Sequence, residues 1–152
     1  MKDKELLLKD LSARLPYGII AHYILFDEYS LIGRVYLWTD ECFYIKKTDK
    51  YSDDWTWNYE TYTSCAEFDK FKPYLRPMSS MTKEEYDSLA HLHLLGNNAH
   101  SYRMDSGGFI FEGFKSYTLG LLDWLNANHF DYRGLIEKGL ALEAPEGMYN
   151  LK

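Results

Sequence analysis

The sequence predicts an α+β fold, and three observations support this prediction. Leucines recur at helical spacing over residues 3–15, residues 17–47 read as strands separated by polar turns, and two helix-start signals follow residue 81. We therefore expect an N-terminal helix, a curved antiparallel sheet of four or five strands that is either open or closed into a small barrel, and two further helices packed on or beside it.

The first helix is predicted over residues 3–15. Its apolar stripe consists of Leu7, Leu8, Leu11 and Leu15. Asp3 is placed to cap the helix, and Pro16 ends it because the residue before a proline avoids the α region. The rest of the helix surface is expected to carry the charged residues Lys4, Glu5, Lys9 and Asp10.

The strands of the predicted sheet are Tyr17–Phe26, Leu31–Trp38, Cys42–Lys46 and Trp55–Thr63. Both alternating faces of the first strand are apolar, which is typical of a central strand covered on both sides. Residues 48–54 are polar without periodicity and are predicted to be a loop.

Two prolines, Pro73 and Pro77, mark a change of composition. Because proline cannot donate a ladder hydrogen bond, we expect an extended connector across the surface here. The single domain then divides into a helix plus β-meander (1–72), a proline-rich connector (73–82) and a mixed C-terminal half (83–152).

Helix signals follow the connector. Thr82 and the glutamate three residues later have capping-box spacing, which predicts a helix over Lys83–Leu95 that Gly96 ends. Ser116 is placed to cap a further helix that ends near Asn128.

The C-terminal segment beyond residue 128 is rich in large apolar groups, which gain free energy when they leave water. We expect it to fold back over one face of the sheet, with Asp131 and Arg133 bracing a turn. Leu140–Glu143 would add a short edge strand before Pro145 and a frayed tail. The alternative is that the segment forms an independent appendage.

The net charge of −6 and the lack of a basic block argue against binding to nucleic acid or anionic lipid. No stretch approaches the ~20 apolar residues of a membrane span. The sequence shows no export signal, so Cys42 and Cys65, which form no CxxC pair, are expected to be reduced thiols in the cytoplasm. Neither a cofactor nor a metal ion is expected.

Three histidines lie close together in the sequence, but two of them, His91 and His93, would lie about 200° apart around a helix and could not share a metal ion. Asp87 could pair with His91 on the helix surface and orient it as a general base, with His100 in the loop that follows. These residues are the candidates for a catalytic site.

Aromatic residues make up 17% of the chain, which favours either a tyrosine-rich core or a recognition surface. Trp55, Trp57 and Tyr59 alternate and would form a stacking platform if exposed, or part of the core if buried. On the connector, Tyr74, Arg76 and Met78 belong to residue types enriched at protein interfaces. Alternatively, the connector only braces the fold.

Three stretches of the chain form a recognisable series: LSARLPYG over residues 11–18, KPYLRPMSSMT over residues 72–82, and DWLN, DYRGLI and GLAL within residues 123–142. In this order they resemble a family of short uncharacterised bacterial proteins often encoded in phage-like and other mobile elements. The resemblance implies a cytoplasmic accessory protein of phage or mobile-element origin, and it assigns no activity, catalytic residue or ligand.

Two functions from different classes follow from these observations. The first is a non-enzymatic protein-interaction module that binds a host or phage protein, because aromatic residues are abundant and catalytic motifs such as GxSxG and GxGxxG do not occur. The second is a small hydrolase or nucleotide-processing enzyme that uses the segment around His91 and His100. We favour the interaction module.

Overall fold

A computed structural model describes residues 2–26, 29–38, 42–47, 61–65 and 70–149. It confirms the α+β fold class. The helices of this part of the chain are α1 (Asp3–Arg14), α2 (Lys83–His91) and α3 (Leu119–Ala127), together with 3-10 helices over Leu15–Tyr17 and Met78–Ser80. The strands are β1 (Ile20–Phe26), β2 (Tyr29–Trp38), β3 (Cys42–Lys47), β4 (Thr61–Cys65), β5 (Phe71–Leu75), β6 (Tyr102–Asp105), β7 (Gly108–Phe111) and β8 (Leu142–Glu143).

The main sheet has the strand order β4-β3-β2-β1-β5-β8, and β6 pairs with β7 in a separate hairpin. Neighbours in the main sheet are antiparallel except β5 and β8, which are parallel. The sheet is open, with β4 and β8 as its described edges, rather than closed into a barrel. The prediction that the first strand is central is confirmed, since β1 lies between β2 and β5.

Residues 71–75 correct the predicted connector, because they form β5 inside the sheet. Pro73 is buried and lies opposite Ala21 of β1. On its other side β8 pairs only with Tyr74 and Leu75, so that edge requires no backbone donor from residue 73. The sheet therefore accommodates Pro73, because β8 is too short to pair with it.

The cap of the first helix and the end of the second differ from the prediction, whereas the first helix begins at Asp3 as predicted. Lys2 is the N-cap residue of α1, and Asp3 is the first helical residue. Helix α2 ends at His91 rather than Leu95, because His93 adopts a left-handed conformation (φ 57°) and its N–H donates to the carbonyl of Ala90. This is the C-terminal geometry that we had assigned to the glycine at position 96.

The cap of α3 also differs from the prediction. The Thr118 side chain accepts a hydrogen bond from the N–H of Leu121, whereas Ser116 uses its carbonyl to accept from the Asn98 amide. In the fourth predicted strand, residues 61–63 belong to β4, and the earlier part lies outside the described residues.

The described residues form two hydrophobic cores. The sheet-side core lies between α1, the sheet and the C-terminal segment, and its buried members are Leu7, Leu11, Ile19, Ala21, Tyr23, Val35, Phe71, Leu75, Leu135 and Ala141. The helical core lies among α2, α3 and the segments around them, and its buried members are Met81, Tyr86, Leu89, Leu95, Leu121, Leu125 and Phe130.

The C-terminal segment folds back onto the sheet, as predicted. Leu135 and Ala141 are buried in the sheet-side core, and β8 adds an edge strand. The buried Asp131 carboxylate accepts hydrogen bonds from the N–H groups of Leu135 and Ile136, at 2.9 and 2.8 Å. This carboxylate therefore stabilises the turn after which the C-terminal segment packs on the sheet.

Candidate functional site

A cavity of about 500 Å³ lies where the end of β5 meets the start of α2 and the C-terminal segment. We call it the acidic cavity, because three carboxylates line it. Its principal polar residues are Arg76, Ser80, Thr82, Glu85, Glu143 and Glu146.

Arg76 lies on one wall of the acidic cavity, and the fold fixes its position. Its backbone N–H donates to the carbonyl of His129, and its own carbonyl accepts from the N–H of Asp131, both at 2.8 Å. The guanidinium donates two hydrogen bonds to the Glu85 carboxylate, at 2.7 and 3.0 Å. It also lies over the Phe130 ring, 4.1 Å from the centroid. Such paired geometry holds an arginine in one orientation.

Glu85 is fixed as well, because it belongs to the capping box of α2. Its carboxylate accepts from the N–H of Thr82 at 3.0 Å, and the Thr82 hydroxyl accepts from the N–H of Glu85 at 3.2 Å. The cap thus holds the carboxylate that pairs with Arg76. The positive charge of Arg76 is compensated within the wall.

Glu143 and Glu146 line the acidic cavity from the C-terminal segment, which forms its second wall. Both are exposed, and neither has an ion-pair or hydrogen-bond partner among the described side chains. The wall is held by a hydrogen bond from the N–H of Ala144 to the carbonyl of Leu75, at 2.7 Å. Because Arg76 compensates one carboxylate of the three, the lining keeps two negative charges in excess.

Tyr149 also lines the acidic cavity and ties the tail of the chain to the sheet. Its hydroxyl accepts a hydrogen bond from the N–H of Ile20 at 2.9 Å and donates to the carbonyl of Tyr74 at 2.8 Å. These two groups lie just beyond the last described β1–β5 pair, so the hydroxyl continues the ladder. Burial raises the pKa of Tyr149.

His129 lies against Tyr149, with ring centroids 3.8 Å apart in a stacked arrangement. The imidazole is buried, and its Nδ1 has no hydrogen-bond partner among the described atoms. Burial, reinforced by the positive charges of Arg14, Arg34 and Arg76, lowers its pKa to about 3. At neutral pH the imidazole is therefore uncharged and adds no positive charge beside the acidic cavity.

The structure separates the three predicted contact residues of the connector. Arg76 lines the acidic cavity, whereas Tyr74 and Met78 are not among its lining residues. Tyr74 is half-buried in β5, with its ring 6.5 Å from that of His22. Met78 packs against the helical core. The predicted platform of Trp55, Trp57 and Tyr59 lies outside the described residues.

The predicted catalytic residues do not form one described constellation. Asp87 accepts a hydrogen bond from Lys83 at 2.6 Å, and the described contacts include none between Asp87 and His91. Asp87 and His91 line a shallow depression on α2, and His100 is not among its lining residues. His91 and His100 are both exposed.

Sequence reasoning missed the second wall of the acidic cavity. The tail that follows Pro145 was predicted to fray, but Met148 is buried and the Tyr149 hydroxyl holds two strands together. The signals that could have indicated an ordered tail are Pro145 and Gly147, since a hydrogen bond from Met148 to the Pro145 carbonyl closes a turn with Gly147 at φ 78°.

No family model matches the sequence, and no match is found among curated proteins or solved structures. Within the described ranges, no helix is both long enough and apolar enough to cross a membrane. The same ranges contain no group of three or more histidine, cysteine, aspartate or glutamate residues arranged to hold a metal ion.

Proposed function

We propose that this chain is a non-enzymatic protein-interaction module of phage or mobile-element origin. It binds a host or phage protein by accepting a lysine or arginine side chain of that partner into the acidic cavity. The observation that carries the proposal is the cavity itself, because Glu143 and Glu146 line it together with Arg76, whose charge is already compensated by Glu85.

The size and charge of the acidic cavity support a basic side chain as its occupant. Ligand sites commonly enclose roughly 300–1,000 Å³, and this cavity, at about 500 Å³, falls within that range. Two uncompensated carboxylates attract a cation and repel an anion. The overall charge of −6 adds long-range attraction for a basic partner.

The rigidity of one wall also favours a binding role. Arg76 and Glu85 are held by backbone hydrogen bonds, a ring contact and a helix cap, so a ligand does not have to order them. Preorganised groups lose less conformational entropy on binding. Glu143 and Glu146 have no such partners among the described side chains and are available to the incoming cation.

A direct test measures binding of a fluorescein-labelled oligolysine peptide by fluorescence anisotropy, with an oligoglutamate peptide for comparison. The cavity variant combines Glu143→Lys with Glu146→Lys. The matched control combines Asp123→Lys with Glu137→Lys, which reverses two exposed charges outside the lining and gives the same net charge.

We expect the wild-type protein and the control to bind oligolysine, and the cavity variant to bind at least about tenfold more weakly, which corresponds to about 1.4 kcal/mol. Equal losses in both variants would assign the binding to net charge alone and contradict the proposal. Preference for oligoglutamate would contradict it as well.

The same variants test the interaction in cells. Tagged wild-type protein and control, expressed in host or infected cells, should recover a common partner that the cavity variant does not recover. If the cavity variant recovers that partner undiminished, the partner contacts another surface, and the proposed role of the acidic cavity is wrong.

A further inference from the structure

We propose that Cys42 and Cys65 are the site of a reversible intramolecular disulfide that clamps the β3–β4 hairpin. The two residues are direct partners in the β3–β4 ladder, although they are far apart in the sequence. They are the two cysteines of the chain, so an intramolecular disulfide can join only this pair.

The strand register carries this inference. Cα atoms of directly opposed residues in an antiparallel pair lie about 4.5–5.5 Å apart, and a disulfide spans Cα separations of about 4.4–6.8 Å. The pairing continues without a described irregularity through the next four residue pairs. The last of these pairs is Lys46 with Thr61. Opposed positions share one face of a sheet.

The position of the pair gives the bond a structural consequence. β4 is an edge of the described sheet, and its one described neighbour is β3. Edge strands open more readily than central ones, because fewer contacts hold them. A covalent link across the hairpin would close a ring over residues 42–65 and limit that opening.

The reaction is thiol–disulfide exchange with a small disulfide such as oxidised glutathione. The thiolate of one cysteine attacks the glutathione disulfide, forms a mixed disulfide and releases one glutathione. The second cysteine thiolate then attacks the protein sulfur of the mixed disulfide and releases the other. The two cysteines lose two electrons, the glutathione disulfide gains them, and the two thiol protons end on the two released glutathione molecules.

A redox titration tests the register. Purified protein is equilibrated with mixtures of reduced and oxidised glutathione, both folded and in urea, and the fraction of disulfide is read from the mass loss of two hydrogen atoms. We expect half-oxidation of the folded protein to need at least about tenfold less oxidising mixtures than the urea-unfolded protein, a difference of about 30 mV.

A variant with the same composition provides the control. Combining Cys65→Ser with Ser64→Cys moves the cysteine one position, opposite Phe43 rather than Cys42 and onto the other face of the strand. Because the fold keeps these two cysteines apart, the folded variant should need more oxidising mixtures than the urea-unfolded variant. Circular dichroism confirms that the variant folds.

Melting curves give a second measurement, which compares the oxidised and reduced forms of the protein. The oxidised wild-type protein should melt at a higher temperature than the reduced protein. Adding oxidised glutathione to the single variant Cys42→Ser should not raise its melting temperature. The proposal is overturned if the folded wild type resists oxidation more than the unfolded chain, or if disulfides form between two chains instead.

Discussion

An ion pair is buried in the sheet-side core, whereas the buried polar side chains of the helical core are neutral. Asp10 and Arg14, one helical turn apart on α1, are fully buried and form two hydrogen bonds at 2.7 and 3.0 Å. Arg14 also donates to the carbonyl of Phe130 at 2.6 Å, and Arg133 lies 3.2 Å from Asp10. A charged pair thus links α1 to the C-terminal segment.

In the helical core, a buried side-chain amide rather than an ion pair connects the packed segments. The buried Asn98 side chain donates to the carbonyls of Leu95 and Ser116 and accepts from the N–H groups of Lys115 and Ser116. The Tyr86 hydroxyl donates to the Asn98 backbone carbonyl at 2.6 Å. These neutral bonds join α2 to the segment that leads into α3.

This difference indicates in which core the loss of one polar side chain destabilises the protein more. A buried ion pair contributes little net stability when complete, because desolvation offsets attraction, but the loss of one member leaves a buried charge unpaired. A neutral network leaves only unsatisfied dipoles. The sheet-side core should therefore respond more strongly than the helical core to the loss of a single polar side chain.

The largest expected effect comes from Asp10→Ala, which leaves Arg14 buried without its carboxylate. We expect the free energy of unfolding to fall by about 3–5 kcal/mol, measured by urea denaturation. The double variant Asp10→Leu with Arg14→Met removes both charges and should lose less than the single variant. If the double variant is as unstable as the single variant, the cost of Asp10→Ala does not come from leaving the charge of Arg14 unpaired.

The next effect concerns pH. His129 has a pKa of about 3 in the folded protein, against about 6.5 when unfolded. Between these values the unfolded chain binds a proton that the folded protein does not, so stability falls as pH falls from about 6.5 towards 3. His129 should contribute about 1.4 kcal/mol per pH unit to this loss and nothing above that window.

The variant His129→Asn tests this contribution, because asparagine tolerates the left-handed backbone (φ 60°) at this position. Urea denaturation at several pH values should show a smaller loss of stability on acidification than in wild type. An identical slope in both proteins would mean that other groups cause the acid sensitivity.

Local patterns in the sequence predict the elements of the sheet-side half well. The strands β1 to β3 and the helix α1 follow from alternation, turn residues and leucine spacing. The burial of Asp10 and Arg14 could not be predicted, although their spacing favours a pair, because Phe130, whose carbonyl accepts a hydrogen bond from Arg14, lies 116 residues further on. Nothing near Asp10 in the sequence distinguishes a buried helix face from a solvated one.

The candidate site was predictable on one side only. Arg76 was chosen because arginine is enriched at interfaces, and it does line the acidic cavity. Glu143 and Glu146 were missed, because their wall forms only when the tail returns to β5, and β8 joins β5 through just two residue pairs. So short a pairing leaves almost no periodic signal in the sequence.

A smaller effect is expected in the helical core. Asn98→Ala removes four side-chain hydrogen bonds, three of them to part-buried backbone groups of Lys115 and Ser116, so we expect a loss of about 1–3 kcal/mol in urea denaturation. The exposed neighbour provides a control, since Asn97→Ala should change stability by less than about 0.5 kcal/mol. A loss that exceeds that of Asp10→Ala would reverse the proposed contrast between the cores.

The smallest effect tests a single neutral hydroxyl on the sheet side. Tyr149→Phe keeps the ring stacked on His129 but removes the group that joins the N–H of Ile20 to the carbonyl of Tyr74. We expect a loss of about 1–2 kcal/mol, because both backbone groups lose the hydrogen bond to this hydroxyl. Tyr117→Phe, which removes a hydroxyl without a described hydrogen bond, should be nearly neutral. If Tyr149→Phe is neutral too, water replaces the hydroxyl at the end of the ladder, and charge alone distinguishes the sheet-side core.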